Sequence, residues 1–197
     1  MKMATCSLRE RRRRETSREI QKTAIELALD LGLDEVTTDM ISQRAGISAR
    51  TFFNYYPNKI AAIAGDPPRF EGDYVEIFLS GAGPLTEDLK IFLSAHLRQV
   101  TFHPAMMDKF TQLLRQEPKV RDLHDIGLDG LRKDLARIIE SRLPSPGVLT
   151  GQFLAQVLIG FIKILIEDWS AHPEDSLEQR LENRWPQFLA ALKAITT

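Results

Sequence analysis

Thr37-Thr38-Asp39-Met40-Ile41-Ser42-Gln43-Arg44-Ala45-Gly46-Ile47-Ser48-Ala49-Arg50-Thr51-Phe52-Phe53-Asn54-Tyr55-Tyr56-Pro57-Asn58-Lys59 is the stretch whose reading decides the fold. Thr37 stands where an N-cap belongs, and Val36 and Ile41 are spaced for a hydrophobic staple across it. Met40, Ile41 and Ala45 supply the buried side of a short helix. Gly46 permits a tight turn, Ile47 plugs the core beneath it, and Ser48 caps a second short helix over residues 49–55. That helix turns Phe52 inward and keeps Arg50, Thr51, Asn54 and Tyr55 available. The layout is a helix-turn-helix, whose second helix fits the major groove of DNA.

Working outward toward the N-terminus, Thr16-Ser17-Arg18-Glu19 has the form of a capping box, followed by Ile20, Ala24, Leu27, Ala28 and Leu31 on one helical face. A first helix over 16–32 is expected, ended by Gly32. Residues 1–15 read as a flexible basic arm, with four consecutive arginines at 11–14. Such an arm could reach a minor groove; the same arginines could equally form a solvated face offset by Glu10 and Glu15. In the other direction, Pro57 suits the first turn of a fourth helix that Lys59 opens and Gly65-Asp66-Pro67-Pro68 stops. The expected division is an arm at 1–15, a DNA-binding domain at 16–64 and a helical body at 65–197. Periodic segments at 85–102, 104–116, 118–142, 148–171 and 175–195 fill the body, with a short helix near 74–79. Prolines 104, 118, 144, 146 and 173 mark the joints, because proline cannot continue a helix. No strand pattern of period two stands out, so the predicted class is all-α.

The 197 residues carry a formal net charge of -1, which excludes a simple polycation. The distribution is uneven: residues 1–65 hold 11 Lys and Arg against 8 Asp and Glu, residues 66–197 hold 15 against 19. Nucleic-acid contact is therefore placed at the N-terminal end. One cysteine, Cys6, excludes an internal disulfide framework and a thiolate metal cage. No apolar segment follows the basic N-terminus in the manner of a secretory signal. The longest apolar run, 153–166, contains Gln156 and Lys163 and falls short of the roughly 18 apolar residues that span a bilayer. A cytoplasmic protein with no membrane partner is the expectation.

The segment from Ile20 to Lys59 resembles the TetR family of bacterial transcriptional regulators. The residues that carry the resemblance are Thr37, Thr38, Ile41, Ala45-Gly46-Ile47-Ser48, Thr51-Phe52-Phe53-Asn54-Tyr55-Tyr56 and Lys59. It covers about a quarter of the chain closely; the rest is similar in length, helix count and proline punctuation. The resemblance implies a homeodomain-like three-helix DNA-binding domain, followed by a helical domain for effector binding and dimerisation. It further implies a ligand-responsive repressor acting as a homodimer on a palindromic operator. Phe53 departs from the family's usual tyrosine and lacks the hydroxyl that bonds a phosphate, and Tyr55 stands where a histidine is common.

Groove-floor reading needs donors and acceptors on an exposed helix face, for which Arg50, Thr51 and Asn54 qualify, with Ala49 able to touch a thymine methyl. Phosphate contact is assigned to Thr38, Tyr55 or Tyr56, and Lys59. Thr38 and Ser48 could serve DNA or simply cap helices, and Phe52 and Tyr56 also read as core. The body offers Phe92, His96, Phe102, Met106, Met107, Phe110 and Leu114, types that line adaptable apolar pockets as readily as they fill cores. Phe92, His96, Met106, Phe110, Phe153 and Phe161 are the candidate effector pocket, with His96 as polar anchor. Segment 148–171 is apolar nearly all round, so it must be covered on every side; with Leu181, Trp185, Phe188, Leu189, Leu192 and Ile195 it offers a dimer surface.

Catalysis has little support. The four histidines, His96, His103, His124 and His172, form neither a His-x-x-x-His nor a Glu-x-x-His pair, and no phosphate loop or nucleophile elbow is present. No metal, no cofactor and no enzyme activity are expected. The rival reading is a non-specific architectural DNA binder or a helical adaptor; the small N-terminal charge excess argues against the architectural binder.

Overall fold

The computed structural model describes residues 8–66, 69–98, 103–143 and 149–194. Cys6, Pro67, Pro68, Phe102, Pro144, Pro146 and Ile195 lie outside those residues. The described chain is helical throughout, with no strand among the described residues: α1 (Leu8–Leu31), α2 (Thr38–Arg44), α3 (Ala49–Phe53), α4 (Lys59–Ala64), α5 (Asp73–Ser80), α6 (Leu85–Leu97), α7 (Pro104–Gln116), α8 (Pro118–Glu140), α9 (Thr150–Ala171) and α10 (Leu177–Ala194). It divides into two compact units, one of Met1–Pro67 with Ala105–Asp129, the other of Pro68–Pro104 with Gly130–Thr197.

In the first unit, α1 packs against α2 and α4, and Ile20, Ala24, Ile25, Leu27 and Ala28 of α1 are buried together with Ile41, Phe52, Ala62 and Ile63. The helix-turn-helix forms as its capping residues require. The Thr37 hydroxyl accepts from the Met40 amide at 3.2 Å, and the Ser48 hydroxyl from the Thr51 amide at 3.0 Å. Gly46 lies at φ 68°, where a Cβ would be strained, and the turn closes through Ile47 N–H to the Ser42 carbonyl at 2.9 Å. The unit does not end near residue 64, since Met106, Phe110, Leu113 and Val120 are buried within the stretch that joins it.

Two local expectations change. The first helix begins at Leu8, so Thr16 to Glu19 lie inside it and cap nothing. No Pro or Gly interrupts residues 8–15, and the Arg11–Glu15 pair at 3.0 Å, four residues apart, supports continuation. The fourth helix is capped by Asn58, whose side chain accepts from the Ala61 amide at 2.9 Å, leaving Pro57 outside it.

The second unit packs α5, α6, the C-terminal half of α8, α9 and α10 around Phe78, Phe92, Leu93, Leu135, Ile139, Leu158, Leu165, Leu181 and Trp185. Gly151 lets the start of α9 lie against α8: a Cβ there would stand 2.7 Å from the Ala136 carbonyl oxygen. Arg142 closes the corner between α5 and α6, bonding Asp88 at 2.7 Å and the Phe78 carbonyl. The last helix runs through Pro186, which is exposed and removes one N–H from the ladder.

α9 is long and apolar enough to cross a membrane by length and composition, more so than residues 153–166 suggested. Its face of Gly151, Ala155, Leu158, Ile162 and Leu165 is nevertheless buried in the second unit's core. Its other side leaves Phe153 at 61% and Ile164 at 63% exposure.

His96 is buried among Phe70, Phe92 and Tyr74, with the Tyr74 hydroxyl 3.3 Å from its Nδ1. Burial lowers its pKa to about 4. Folding therefore favours the neutral ring. The associated stability is complete above the unfolded pKa of about 6.5 and drains away as pH falls toward the folded value, on the order of 3 kcal/mol in all. Denaturant unfolding at pH 7 and pH 4.5 should show His96→Gln losing less stability over that interval than the parent chain; equal losses would remove His96 from the account.

Candidate nucleic-acid interface

α3 is too short to hold itself, and it is fixed by what lies beneath it. Phe52 is fully buried, and Tyr56 is 3% exposed with its hydroxyl 2.6 Å from that of Ser17 on α1. Burial raises the Tyr56 pKa, opposed by the Ser17 bond. With positions 52 and 56 inward, positions 49, 50, 53 and 54 must face out, and Ala49, Arg50, Phe53 and Asn54 are all exposed. This is a compact surface with one guanidinium, one amide and one ring.

The other assigned residues separate by what their polar atoms already do. The hydroxyls of Ser48 and Thr51 bond each other at 2.8 Å, so the cap and the groove candidate form one exposed unit. Thr38 is half-buried in the first turn of α2, and its carbonyl accepts from Ser42 at 2.7 Å. Tyr55 is half-buried, with the Arg13 guanidinium 5.3 Å from its ring centroid, and it lines an open cleft of about 250 Å³ with Pro57, Ala61, Leu123 and Ile126.

Two phosphate assignments are corrected. Tyr56 belongs to the core, and its hydroxyl is engaged by Ser17. Lys59 directs its ammonium to the carbonyls of Leu33 at 2.8 Å, Asp34 at 3.1 Å and Val36 at 2.8 Å. An ammonium has three N–H donors, and all three are used. Lys59 ties the start of α4 to the α1–α2 connection, and the phosphate role assigned to it has no donor left to perform it. Phe53 is the reverse case. It has no hydroxyl to offer a phosphate, yet it is 55% exposed, touching Phe52 edge-on at 5.4 Å. Its spacing from Ala49 and Arg50 was the signal that places it on the outward face.

The six effector-pocket candidates are divided between the two units. Phe92 and His96 are together in the second unit's aromatic cluster. Met106 and Phe110 belong to the first unit, where Phe110 meets His124 edge-on at 5.2 Å. Phe153 is exposed on α9, and Phe161 stacks on Phe188 of α10 at 4.4 Å. Helical periodicity put all six on apolar faces but could not say which faces share a unit. Among the described residues, no group of three His, Cys, Asp or Glu side chains is placed to hold a metal ion.

Residues 20–61 match the family model of bacterial regulatory proteins, tetR family. No curated protein matches the chain. Among solved structures, the fatty acid degradation regulator FadR from Bacillus halodurans superposes with a TM-score of 0.57 at 19% identity, covering 88% of this chain and 94% of its own. The Thermus thermophilus FadR, a transcriptional repressor in complex with lauroyl-CoA, gives 0.51 at 22%, covering 88% and 93%. NalD of Pseudomonas aeruginosa, the secondary repressor of the MexAB-OprM multidrug efflux pump, gives 0.57 at 14%, covering 91% and 96%. At these identities the structures establish a shared fold: an N-terminal helix-turn-helix followed by a helical bundle.

Replacing Lys59 by Met should lower stability by about 2 kcal/mol, the range of hydrogen bonds made by a charged group. The slope of DNA affinity against salt should stay unchanged, because no phosphate contact is lost. Thermal melting and a salt titration of the same variant check both halves.

Proposed function

We propose that this chain, whose residues 20–61 carry the tetR-family module, is a ligand-responsive transcriptional repressor that binds an inverted-repeat operator as a homodimer. The observation that carries the reading is the outward face of α3, held by Phe52 and Tyr56 with Arg50 and Asn54 exposed. Arg50 forks onto a guanine edge and Asn54 onto an adenine, while Ala49 and Phe53 meet thymine methyls. Thr38, Ser48 and Thr51 serve the groove wall, with Ser48 and Thr51 also holding the cap. Occupying the operator suffices for repression, and no catalytic step is involved.

A single module buries too little surface for tight specific binding, which a twofold pair overcomes by placing reading helices one DNA turn apart, ~34–36 Å. The exposed side of α9, with Phe153 and Ile164, and the half-buried Phe188, Leu189 and Leu192 of α10 support a dimer surface. Covering it also accounts for an apolar helix that its own unit leaves partly bare, in a cytoplasmic protein without a membrane role.

The effector is a small, largely apolar compound acting on the second unit, and the lauroyl-CoA complex of the Thermus thermophilus relative supports that class. The aromatic cluster of Phe70, Tyr74, Phe92 and His96 is the proposed contact. Release from DNA requires the effector to bind the non-binding shape more tightly; equal affinity for both shapes shifts nothing.

Selection from random duplexes by the purified chain should enrich an inverted repeat. Arg50→Ala should then cost about 1–3 kcal/mol and relax one symmetric pair of positions. An architectural binder would enrich no sequence. Sedimentation at micromolar concentration should show two chains, and Phe153→Glu with Ile164→Glu should yield one; a monomer in the parent chain would reject the dimer.

A further inference from the structure

The inner face of α1 changes character along its length. Arg9, Arg13, Thr16, Ile20, Ala24 and Leu27 follow one another at spacings of three and four, a single stripe. Ile20, Ala24 and Leu27 are buried in the first unit's core, Thr16 is half-buried, and Arg13 and Arg9 are exposed. The helix thus runs on past its core, and the face that was aliphatic becomes arginine. Arg12 flanks the same stripe. The opposite stripe carries Arg11, Glu15, Arg18 and Lys22, where Arg11 is paired with Glu15 at 3.0 Å. Among the described residues Arg9 and Arg12 make no ion pair, whereas Arg11 of the outer stripe is paired with Glu15.

The overhang is seated. Arg13 lies over the Tyr55 ring, and Tyr55 follows directly on Asn54, the C-cap of α3. Ser17 is bonded to Tyr56 one residue further on. The arginine stripe therefore starts within a side chain's reach of the end of α3. The face demands an anionic partner, and an extended one, since it runs about 12 Å from Ser17 back to Arg9 at the helical rise. Duplex DNA presents one charge per about 1.7 Å of its axis and is the ligand already assigned to the adjoining surface.

We propose that the first turns of α1 are a preformed phosphate-binding ridge, in which Arg9, Arg12 and Arg13 hold the backbone of duplex DNA flanking the sequence read by α3, with Tyr55 as the positioning residue. The inference rests on the regulator reading above and replaces a flexible arm by a rigid element. A ridge already helical avoids the ordering cost that an arm meets on binding. It adds affinity and salt dependence without sequence information, because phosphates carry none.

The test uses the full chain and the duplex it selects from a random library. Arg9→Gln with Arg12→Gln should reduce the magnitude of the slope of log affinity against log salt by about 1.8, two phosphate contacts, while base preferences stay as they were. Arg11→Gln with Lys22→Gln removes equal charge from the outer stripe and should leave the slope near that of the parent. Tyr55→Leu should lower the slope by about 0.9 through loss of Arg13's seat, and Tyr55→Phe should restore it. Melting temperatures confirm that each variant is folded. An unchanged slope in the inner pair, or an equal fall in the outer pair, overturns the ridge with the regulator reading intact. A loss in Tyr55→Phe transfers the contact to the hydroxyl and overturns the positioning role. If the parent chain enriches no duplex, the regulator reading fails and the ridge falls with it.

Discussion

The burial of Phe52 and of Tyr56, the latter bonded to Ser17 of α1, is the constraint on which the first unit's surface depends. A helix of the length of Ala49–Phe53 has no stability of its own in water, since nucleation costs more than so few hydrogen bonds return. Its existence and its rotation about its axis are both set by Phe52, fully buried in the unit's core, and by Tyr56, tied to Ser17 of α1. Once those two point inward, the 3.6-residue period leaves no choice about which residues point outward. The arrangement of Ala49, Arg50, Phe53 and Asn54 as one outward surface is a consequence of core packing, and it would rotate away if that packing were lost.

Charge in the first unit is divided between building and display. Lys59 looks like a surface cation, but its ammonium bridges three carbonyls between α1 and α2 that no intrahelical N–H satisfies. Arg44 is near Asp30 at 3.6 Å, an exposed pair worth little for stability. Arg50 stays on display with no such partner among the described residues. Counting positive side chains near the module would treat all three alike, and their chemistry differs because their donors are differently occupied.

The second unit follows a different logic. Arg142 is enclosed by Asp88 and the Phe78 carbonyl, and Arg180 on α10 bonds Asp168 at 2.5 Å and the His172 carbonyl at the end of α9. The Arg180 bond holds the Asp168 carboxyl below its ordinary pKa, against the opposing effect of burial. Arg142 joins elements 54 and 64 residues away in sequence, whereas Arg180 ties α10 back to the helix just before it. The aromatic cluster around His96 of α6 likewise draws in Phe70, ahead of α5, and Tyr74 of α5.

Much of the fold was legible in residues. Caps at Thr37 and Ser48, the turn at Gly46 and the periodic faces of α6 to α10 are local signals, and local signals act through hydrogen bonds and side-chain spacing a few residues apart. The all-α class, the position of the helix-turn-helix and the outward set Ala49, Arg50 and Asn54 follow from them. The start of α1 was misread because a capping box inside a good helix former is silent when nothing breaks the chain ahead of it. Tyr56, Lys59 and Phe53 depend on contacts across 23 to 39 residues of sequence or on their absence, and the six pocket candidates on which unit each helix joins. Sequence alone determined the elements and their faces, since periodicity and capping are properties of short segments. Only the tertiary structure decided which donors remain free, because a polar atom's role depends on what the fold brings against it.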